Sequence, residues 1–327
     1  MKLAVIGLGA MGWNHVRVAH ELGVLAAVSD LSSEARAKAS KAYNVPVVAE
    51  PAEAFKHADA VVIATPTTTH VDLALAAIAA GKHVLVEKPL ADTRHHAARI
   101  VDAAHDAGVT LAVGHIERHN PAVAYAKKLL QSGEIGNLLT MTGRRVSSYP
   151  GRIRDVGCIL DIGIHEIDIA RYLAGAECTV VHALAGSSRT DGREDHALIQ
   201  LGFDNGTAAT IETNWLTPMR VRKNTLTCTG ALVELDYMAQ SARISRAHFV
   251  DVSQPSKYAP ELEYDSREVV LKRQEPLRNE LQDFLAAAEH GRAPLVGGRD
   301  GLQALRIAEA ALESVRSGRS LVLEPQP

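Results

Sequence analysis

The chain has 327 residues, which is long for one domain and comfortable for two. Its formal net charge is −3 and 46% of its residues are hydrophobic, so it can bury a sizeable core but lacks the basic excess of a nucleic-acid binder. Its three cysteines are scattered, which argues against a disulfide framework or a zinc site.

The first part of the chain alternates strand-like and helical segments. Strands are predicted at residues 2–6, 24–29, 60–64, 83–86 and 110–113, with helices at 11–22, 33–43, 70–80 and 94–107. This alternation predicts βαβ units, and right-handed crossovers then place helices on both faces of a parallel sheet. The first strand leaves no room for a signal peptide, and no stretch approaches the roughly 20 apolar residues of a membrane helix. We therefore expect a cytoplasmic protein without a membrane or nucleic-acid partner.

The turn after the first strand is a GxGxxG motif, GLGAMG, that opens a helix. Gly7 permits the tight turn, Gly9 lets the backbone approach a pyrophosphate, and Gly12 allows close helix–strand packing. The free N–H groups of the helix start, around Ala10 and Met11, suit phosphate oxygens. The motif predicts a dinucleotide site.

The second predicted strand ends at Asp30, about twenty residues beyond the glycine motif. A carboxylate at this position can accept hydrogen bonds from ribose hydroxyls and repels a 2′-phosphate. The pattern therefore predicts NAD rather than NADP. The alternative is a glycine turn followed by a solvated aspartate, with no ligand.

Two further loops leave the carboxyl ends of predicted strands, where open α/β sheets bind ligands. One contains Thr65-Pro66 and ends at His70, and its hydroxyls could contact the cofactor or cap the next helix. The other is Glu87-Lys88-Pro89, a charged pair emerging from an apolar strand. We expect this pair to face the ligand crevice, with a surface salt bridge as the alternative.

From residue 120 onward, strands joined by short turns dominate. The prediction places helices at 122–131, 159–173, 277–289 and 302–315, strands at 138–146, 179–185, 196–203, 207–215, 222–229, 232–237 and 242–250, and a short closing strand. The turn Asp204-Asn205-Gly206 is a hairpin signal. We predict an α/β protein with a Rossmann parallel sheet over residues 1–119 and an α+β domain with a predominantly antiparallel open sheet over residues 120–327.

The predicted helix at 159–173 contains a histidine flanked by carboxylates. Asp161 and His165 are four residues apart, and Asp168 follows three residues later, so all three share one helical face. Neighbouring carboxylates raise the basicity of an imidazole and fix its orientation, as a general base requires. The alternative is an ion pair on a solvated helix face.

Together these segments resemble the Gfo/Idh/MocA family, the group of glucose–fructose oxidoreductase and inositol dehydrogenase. The resemblance covers essentially the whole chain and implies reversible NAD-dependent oxidation of a secondary alcohol. It implies an active site of Lys88, Asp161 and His165. His165 takes the hydroxyl proton as hydride leaves for the nicotinamide, Lys88 stabilises charge on the oxygen, and Asp161 orients one of them. The cofactor-binding residues that it implies are Gly7, Gly9, Ala10, Met11, Gly12, Asp30, Thr65, Pro66, His70, Glu87 and Lys88.

The substrate is harder to predict. The segment 114–121, with Arg118 and Asn120, and the segment 144–157, with Arg152 and Arg154, are similar to the UDP-N-acetylglucosamine 3-dehydrogenase-like subgroup. Arginines around this loop suit a diphosphate through bidentate contacts, while the alternative is solvent exposure or subunit contacts. Together with Asp161 and His165 they form the predicted substrate site, which points to a UDP-N-acetylhexosamine.

Two other functions stay open at this point. One keeps the chemistry and changes the substrate to inositol or a free hexose, and the other is a non-catalytic NAD-binding regulator. No HExxH or similar ligand spacing is present, so we expect no metal. An open antiparallel sheet leaves one face to cover, and we expect a homodimer or homotetramer.

Overall fold

The computed structural model describes residues 1–149, 151, 156–190, 192–249 and 262–324. The chain divides into two compact units: Met1–His119 with Gln274–Arg306, and Asn120–Arg273 with Ile307–Pro327. The first boundary coincides with the predicted one, whereas the return segment Gln274–Arg306 was predicted to lie in the second domain. The apolar periodicity of a helix indicates that one face is buried, but it does not indicate which domain that face packs against.

The first unit contains a parallel sheet, as predicted. Its strands are β1 (Leu3–Ile6), β2 (Leu25–Ser29), β3 (Val47–Val48), β4 (Ala60–Ile63), β5 (His83–Glu87) and β6 (Leu111–Gly114). They lie in the order β3-β2-β1-β4-β5-β6, and each neighbouring pair is parallel. This is the Rossmann strand order, in which ligands bind at the carboxyl ends of the strands.

Helices cover this sheet, and the side chains of Ser32 and Thr93 cap two of them. They are α1 (Ala10–Glu21), α2 (Ser33–Ala42), α3 (Pro51–Phe55), α4 (His70–Ala79), α5 (Arg94–Asp106) and, from the return segment, α8 (Pro276–His290). The Ser32 hydroxyl accepts from the Ala35 N–H and that of Thr93 accepts from the His96 N–H. Such caps satisfy N–H groups that have no partner inside the helix.

The second unit is built on a mixed sheet. Its strands are β7 (Leu138–Ser148), β8 (Cys178–Gly186), β9 (His196–Phe203), β10 (Ala208–Asn214), β11 (Leu216–Cys228), β12 (Leu232–Asp236), β13 (Ser241–Phe249), β14 (Leu262–Val270) and β15 (Leu321–Val322). Their order is β14-β13-β12-β11-β7-β10-β9-β8-β15. Every neighbouring pair is antiparallel except β7 with β10. The predicted fold class is confirmed.

Two helices of the second unit matter for the site. The helix α6 (Pro121–Gln131) starts at Asn120, and α7 (Ile164–Ala174) is preceded by a π-helical turn, Ile159–Gly163. The last helix, α9 (Gly298–Ser317), contributes residues to both units. The predicted hairpin turn between β9 and β10 is confirmed, with Gly206 at φ +86°.

Candidate functional site

The glycine-rich loop between β1 and α1 has three glycines with different constraints. Gly7 has φ +93°, and a Cβ there would lie 2.7 Å from the Ala64 carbonyl oxygen. A Cβ at Gly12 would lie 1.8 Å from the Gly7 oxygen, so the fold itself requires both glycines. A Cβ at Gly9 would meet no described heavy atom within 4 Å. Gly9 therefore faces open space at the start of α1.

The start of α1 fits an anion. Among the described residues no side chain caps this helix, whose first two residues are Ala10 and Met11. Helix-start N–H groups and the positive end of the helix dipole attract phosphate oxygens. The residues present therefore suit the pyrophosphate of a dinucleotide.

Asp30 lies directly beside the glycine-rich loop. One carboxylate oxygen accepts from the Leu8 N–H at 2.6 Å, and the other accepts from the Ser32 N–H at 2.7 Å. A carboxylate has about four acceptor positions, so these two bonds leave capacity for ribose hydroxyls. This arrangement supports the predicted preference for NAD.

His70 connects the two loops that leave β4 and β5. Its ring is buried, with Nδ1 3.0 Å from the Pro89 carbonyl oxygen and Nε2 3.0 Å from that of Thr65. Burial lowers the pKa of His70, although the backbone hydrogen bonds oppose this shift. The ring thus holds the loops of Thr65-Pro66 and Glu87-Lys88-Pro89 together, which is a positioning role.

The Glu87 side chain is buried rather than exposed, so a surface salt bridge with Lys88 is wrong. Glu87 Oε1 lies 2.8 Å from His15 Nε2, and Oε2 accepts from the Lys88 N–H at 3.2 Å. Burial raises the pKa of Glu87, but the hydrogen bond and charge of His15 and the charge of Lys88 outweigh it and lower the pKa overall. The surroundings of Glu87 therefore favour its charged form, and its carboxylate lies next to the backbone of the half-buried Lys88.

Sequence reasoning missed His15 and a second buried carboxyl, Glu280 of α8. Glu280 is 3% exposed, and neither of its carboxyl oxygens has a hydrogen-bond partner among the described residues. Burial raises the pKa of Glu280 well above its usual range, and the charges of Glu87 and Asp283 raise it further. The first unit thus holds two buried carboxyl groups whose pKa values are shifted in opposite directions.

Glu280→Gln is expected to reduce the loss of stability on raising the pH. Above the ordinary glutamate pKa of 4.5, the folded protein keeps a proton that the unfolded chain has lost. The free energy of unfolding therefore falls with rising pH, by up to about 1.4 kcal/mol per unit, until the folded-state pKa is passed. Glutamine has no proton to lose. Urea unfolding at about pH 5 and about pH 8 measures the difference.

Glu289→Gln is the matched control, because Glu289 lies exposed on the same helix. This variant should follow the wild-type stability at both pH values. If the free energy of unfolding falls by the same amount from the lower to the higher pH in Glu280→Gln and in wild type, the carboxyl of Glu280 is not neutral in the folded protein.

In the second unit, the acidic residues and histidine of α7 are buried. His165, Glu166 and Asp168 are each less than 9% exposed, while Asp161 in the preceding π-helical turn is half-buried. The alternative of an ion pair on a solvated helix face is therefore wrong. Asp161 also lines a cavity of about 570 Å³ within this unit.

The π-helical turn changes the spacing that the sequence predicts. A regular helix would stack residues four apart, whereas a π turn widens the repeat, and such turns are frequent at functional sites. Glu194 holds its start, because its Oε1 accepts from the Ile159 N–H at 3.2 Å. Gly163 at its end lies close to β10, since a Cβ there would be 3.3 Å from Thr213 Cγ2.

A buried polar network that sequence reasoning also missed fixes α7 to the sheet. Glu166 Oε1 accepts from Arg145 on β7 at 3.2 Å, and Oε2 accepts from the Asn224 amide on β11 at 2.6 Å. The same amide also contacts the Tyr237 hydroxyl. The residue beside His165 thus joins one helix to two strands. Glu166 and Arg145 are both evident as charged residues in the sequence, but no local pattern indicates that they pair with each other.

The predicted substrate residues have different environments. Arg118 is buried, where it contacts Asp300 at 3.1 Å and the Leu295 carbonyl oxygen at 3.3 Å. Asn120 caps α6 by accepting from the Ala122 N–H and donates to the Tyr237 carbonyl oxygen. These contacts favour structural roles for both residues.

Two further predicted substrate residues, Arg152 and Arg154, lie outside the described residues.

The three cysteines are buried thiols, and burial raises the pKa of Cys228 to about 11. In the described ranges no group of three histidine, cysteine or acidic side chains is arranged to hold a metal ion. No helix of the described part combines the length and apolarity needed to cross a bilayer.

The Rossmann sheet, the glycine loop and Asp30 are those of a dinucleotide-binding domain. Residues 1–115 match the Gfo/Idh/MocA oxidoreductase family with its NAD-binding Rossmann fold, and residues 123–234 match the Gfo/Idh/MocA C-terminal domain. The chain belongs to the Gfo/Idh/MocA family, and it is an NAD-dependent dehydrogenase.

Two of its relatives are named for different kinds of substrate, an inositol and a nucleotide sugar. The chain is 32% identical to inositol 2-dehydrogenase 2 of Saccharopolyspora erythraea, over 100% of this chain and 97% of that protein. It is 28% identical to UDP-N-acetylglucosamine 3-dehydrogenase of Acidithiobacillus ferrooxidans, over 96% of each. A solved structure of that name and organism aligns with a TM-score of 0.87 at 27% identity, covering 97% of this chain and 98% of the other.

Proposed function

We propose that this enzyme transfers a hydride between a secondary alcohol of a UDP-N-acetylhexosamine and NAD. Oxidation of inositol or a free hexose is the alternative, and the names of the relatives support both equally. In either case the substrate is a small polyhydroxylated molecule. The two proposals share one set of reacting residues and differ in what holds the rest of the substrate.

The proposed roles follow from the chemistry of each side chain. NAD, when bound, supplies the hydride acceptor. His165 takes the proton of the substrate hydroxyl, since an imidazole is basic enough near neutral pH to do so. Lys88 donates a hydrogen bond to the same oxygen and stabilises its developing negative charge. Asp161 orients one of these two groups.

One observation carries the proposal: the imidazole and carboxylates of α7 are buried, and Asp161 lines a cavity. A helix used only for packing would not bury these groups without a reason, because burying charge is costly unless it is compensated. In the first unit, the charges of His15 and Lys88 help to lower the pKa of the buried Glu87, so the carboxylate and the ammonium group interact electrostatically. Both features are expected of a proton-transfer site.

A substrate panel tests the proposed function. NAD reduction is followed by absorbance with UDP-N-acetylglucosamine, N-acetylglucosamine, myo-inositol and glucose, and again with NADP. We expect the highest kcat/KM with the UDP-sugar and with NAD. Turnover of myo-inositol without turnover of any UDP-sugar would reject the nucleotide-sugar proposal and favour the alternative.

We also propose that the enzyme is a cytoplasmic homodimer or homotetramer. Leu184 on β8 and Leu198 on β9 are cross-strand neighbours, and they are 61% and 50% exposed. Adjacent exposed leucines on a sheet are typical of a surface that associates with another molecule. Sedimentation equilibrium measures the mass in solution, and a monomer at micromolar concentration would contradict the assembly.

A further inference from the structure

The cavity beside Asp161 in the second unit has an arginine-rich wall. It lies between the end of β7, the start of β11 and the π-helical turn, and its volume is about 570 Å³. Arg145, Arg220 and Arg222 line it, and Asp161 is the carboxylate among its described lining residues. Its volume lies within the range of about 300–1,000 Å³ found for ligand pockets.

The charged residues among the described lining of this cavity are mainly arginines. Arg145 and Arg222 are direct cross-strand partners on β7 and β11, and like charges in this position repel. Glu166 forms a buried ion pair with Arg145. Arg220, two residues from Arg222, has no ion-pair or hydrogen-bond partner among the described residues. The described lining therefore holds three guanidinium groups against the carboxylates of Asp161 and Glu166, and this excess of positive charge favours an anionic ligand.

The same wall also contains a buried tryptophan. Trp215 is 1% exposed, and its indole Nε1 has no acceptor among the described residues. A buried donor without an acceptor costs about 1–3 kcal/mol. The Tyr149 ring packs edge-on against Trp215, with ring centroids 5.9 Å apart. The wall thus offers an aromatic surface as well as positive charge.

From these observations we infer that the cavity is an anion subsite, in which Arg220 and Arg222 bind the phosphate or diphosphate group of a phosphorylated sugar. This inference rests on the proposed function, because it places the sugar substituent beside Asp161. Guanidinium groups bind phosphate oxygens through paired N–H donors. A neutral cyclitol carries no negative charge that these arginines could attract. Arg220 is thus a specificity-determining residue.

Arg220→Gln tests the subsite, with Lys223→Gln as the matched control. Lys223 is a cation on the same strand, but it lines a different surface depression and pairs with Asp236. We compare kcat/KM for UDP-N-acetylglucosamine and for N-acetylglucosamine at low and high salt. In Arg220→Gln the ratio of the two values should fall at least tenfold, as should the salt dependence of KM for the UDP-sugar. Arg220→Lys should recover part of the loss, and Lys223→Gln should retain the wild-type ratio.

Direct binding separates this inference from the proposed function. UDP is titrated calorimetrically into wild type and Arg220→Gln at saturating NAD. If no sugar is oxidised but UDP binds at least tenfold more weakly to the variant, the proposed function fails and the subsite stands. Equal UDP affinity in both proteins, no UDP binding to wild type, or an unchanged kcat/KM ratio overturns the subsite.

Discussion

Lys88→Ala should lower kcat by about 10²–10³-fold, the range found when one donor to a developing oxyanion is removed. The loss arises because the substrate oxygen then gains negative charge without a nearby ammonium group. NAD affinity should change little, since the glycine loop and Asp30 supply the main contacts expected for the dinucleotide. Steady-state kinetics and calorimetric titration with NAD measure the two effects separately.

Lys56→Ala is the control for this prediction, because it removes an exposed lysine from the same unit that pairs only with Glu53 among the described contacts. Its kcat should equal that of wild type. Unchanged kcat in Lys88→Ala would exclude Lys88 from the reaction. A parallel loss of NAD affinity and kcat would instead show that Lys88 acts through cofactor binding.

Glu166→Gln should destabilise the second unit by about 3–5 kcal/mol, because it removes one charge of the buried ion pair with Arg145. Thermal unfolding followed through the fluorescence of Trp215, with Trp13 of the first unit replaced by phenylalanine in every variant compared, measures the effect in this unit. The helix that carries His165 is fixed to the sheet by the same pair, so kcat should fall together with stability.

The exposed ion pair between Arg144, the neighbour of Arg145 on β7, and Glu212 on β10 provides a matched control. Glu212→Gln should cost at most about 1 kcal/mol, since solvent screens exposed ion pairs. The double variant Arg145→Met/Glu166→Leu should be more stable than Glu166→Gln, because it removes both charges. Equal destabilisation by Glu166→Gln and Glu212→Gln would show that burial of the pair has no energetic consequence.

Much of the first unit could be predicted from the sequence because its elements have strong local signals. The apolar strand Leu3–Ile6 is followed directly by glycines, and the later helices have long periodic segments. The short elements Val47–Val48 and Pro51–Phe55 were not predicted. Two to five residues are too few to show a period, so tertiary packing decides their conformation.

The site could be predicted in part. Lys88, Asp161 and His165 belong to recognisable motifs, but the partners that fix their surroundings come from distant segments. His15 and Glu87 are 72 residues apart in the sequence, and Asn224 and Glu166 are 58 residues apart, yet each pair is in hydrogen-bond contact. Such pairs depend on strand order and helix packing, which no local pattern contains. The parallel pairing of β7 with β10 and the strand Leu262–Val270 were missed for the same reason.

The return of Gln274–Arg306 to the first unit has a consequence for how this chain is made. Leu277, Leu281 and Phe284 belong to the same apolar cluster as Leu3, Val5 and Val28. A nascent chain emerging from the ribosome therefore exposes part of this cluster until more than 280 residues have been synthesised. A fragment ending at residue 119 would keep that surface uncovered, so excising the nucleotide-binding part alone should yield an aggregation-prone polypeptide.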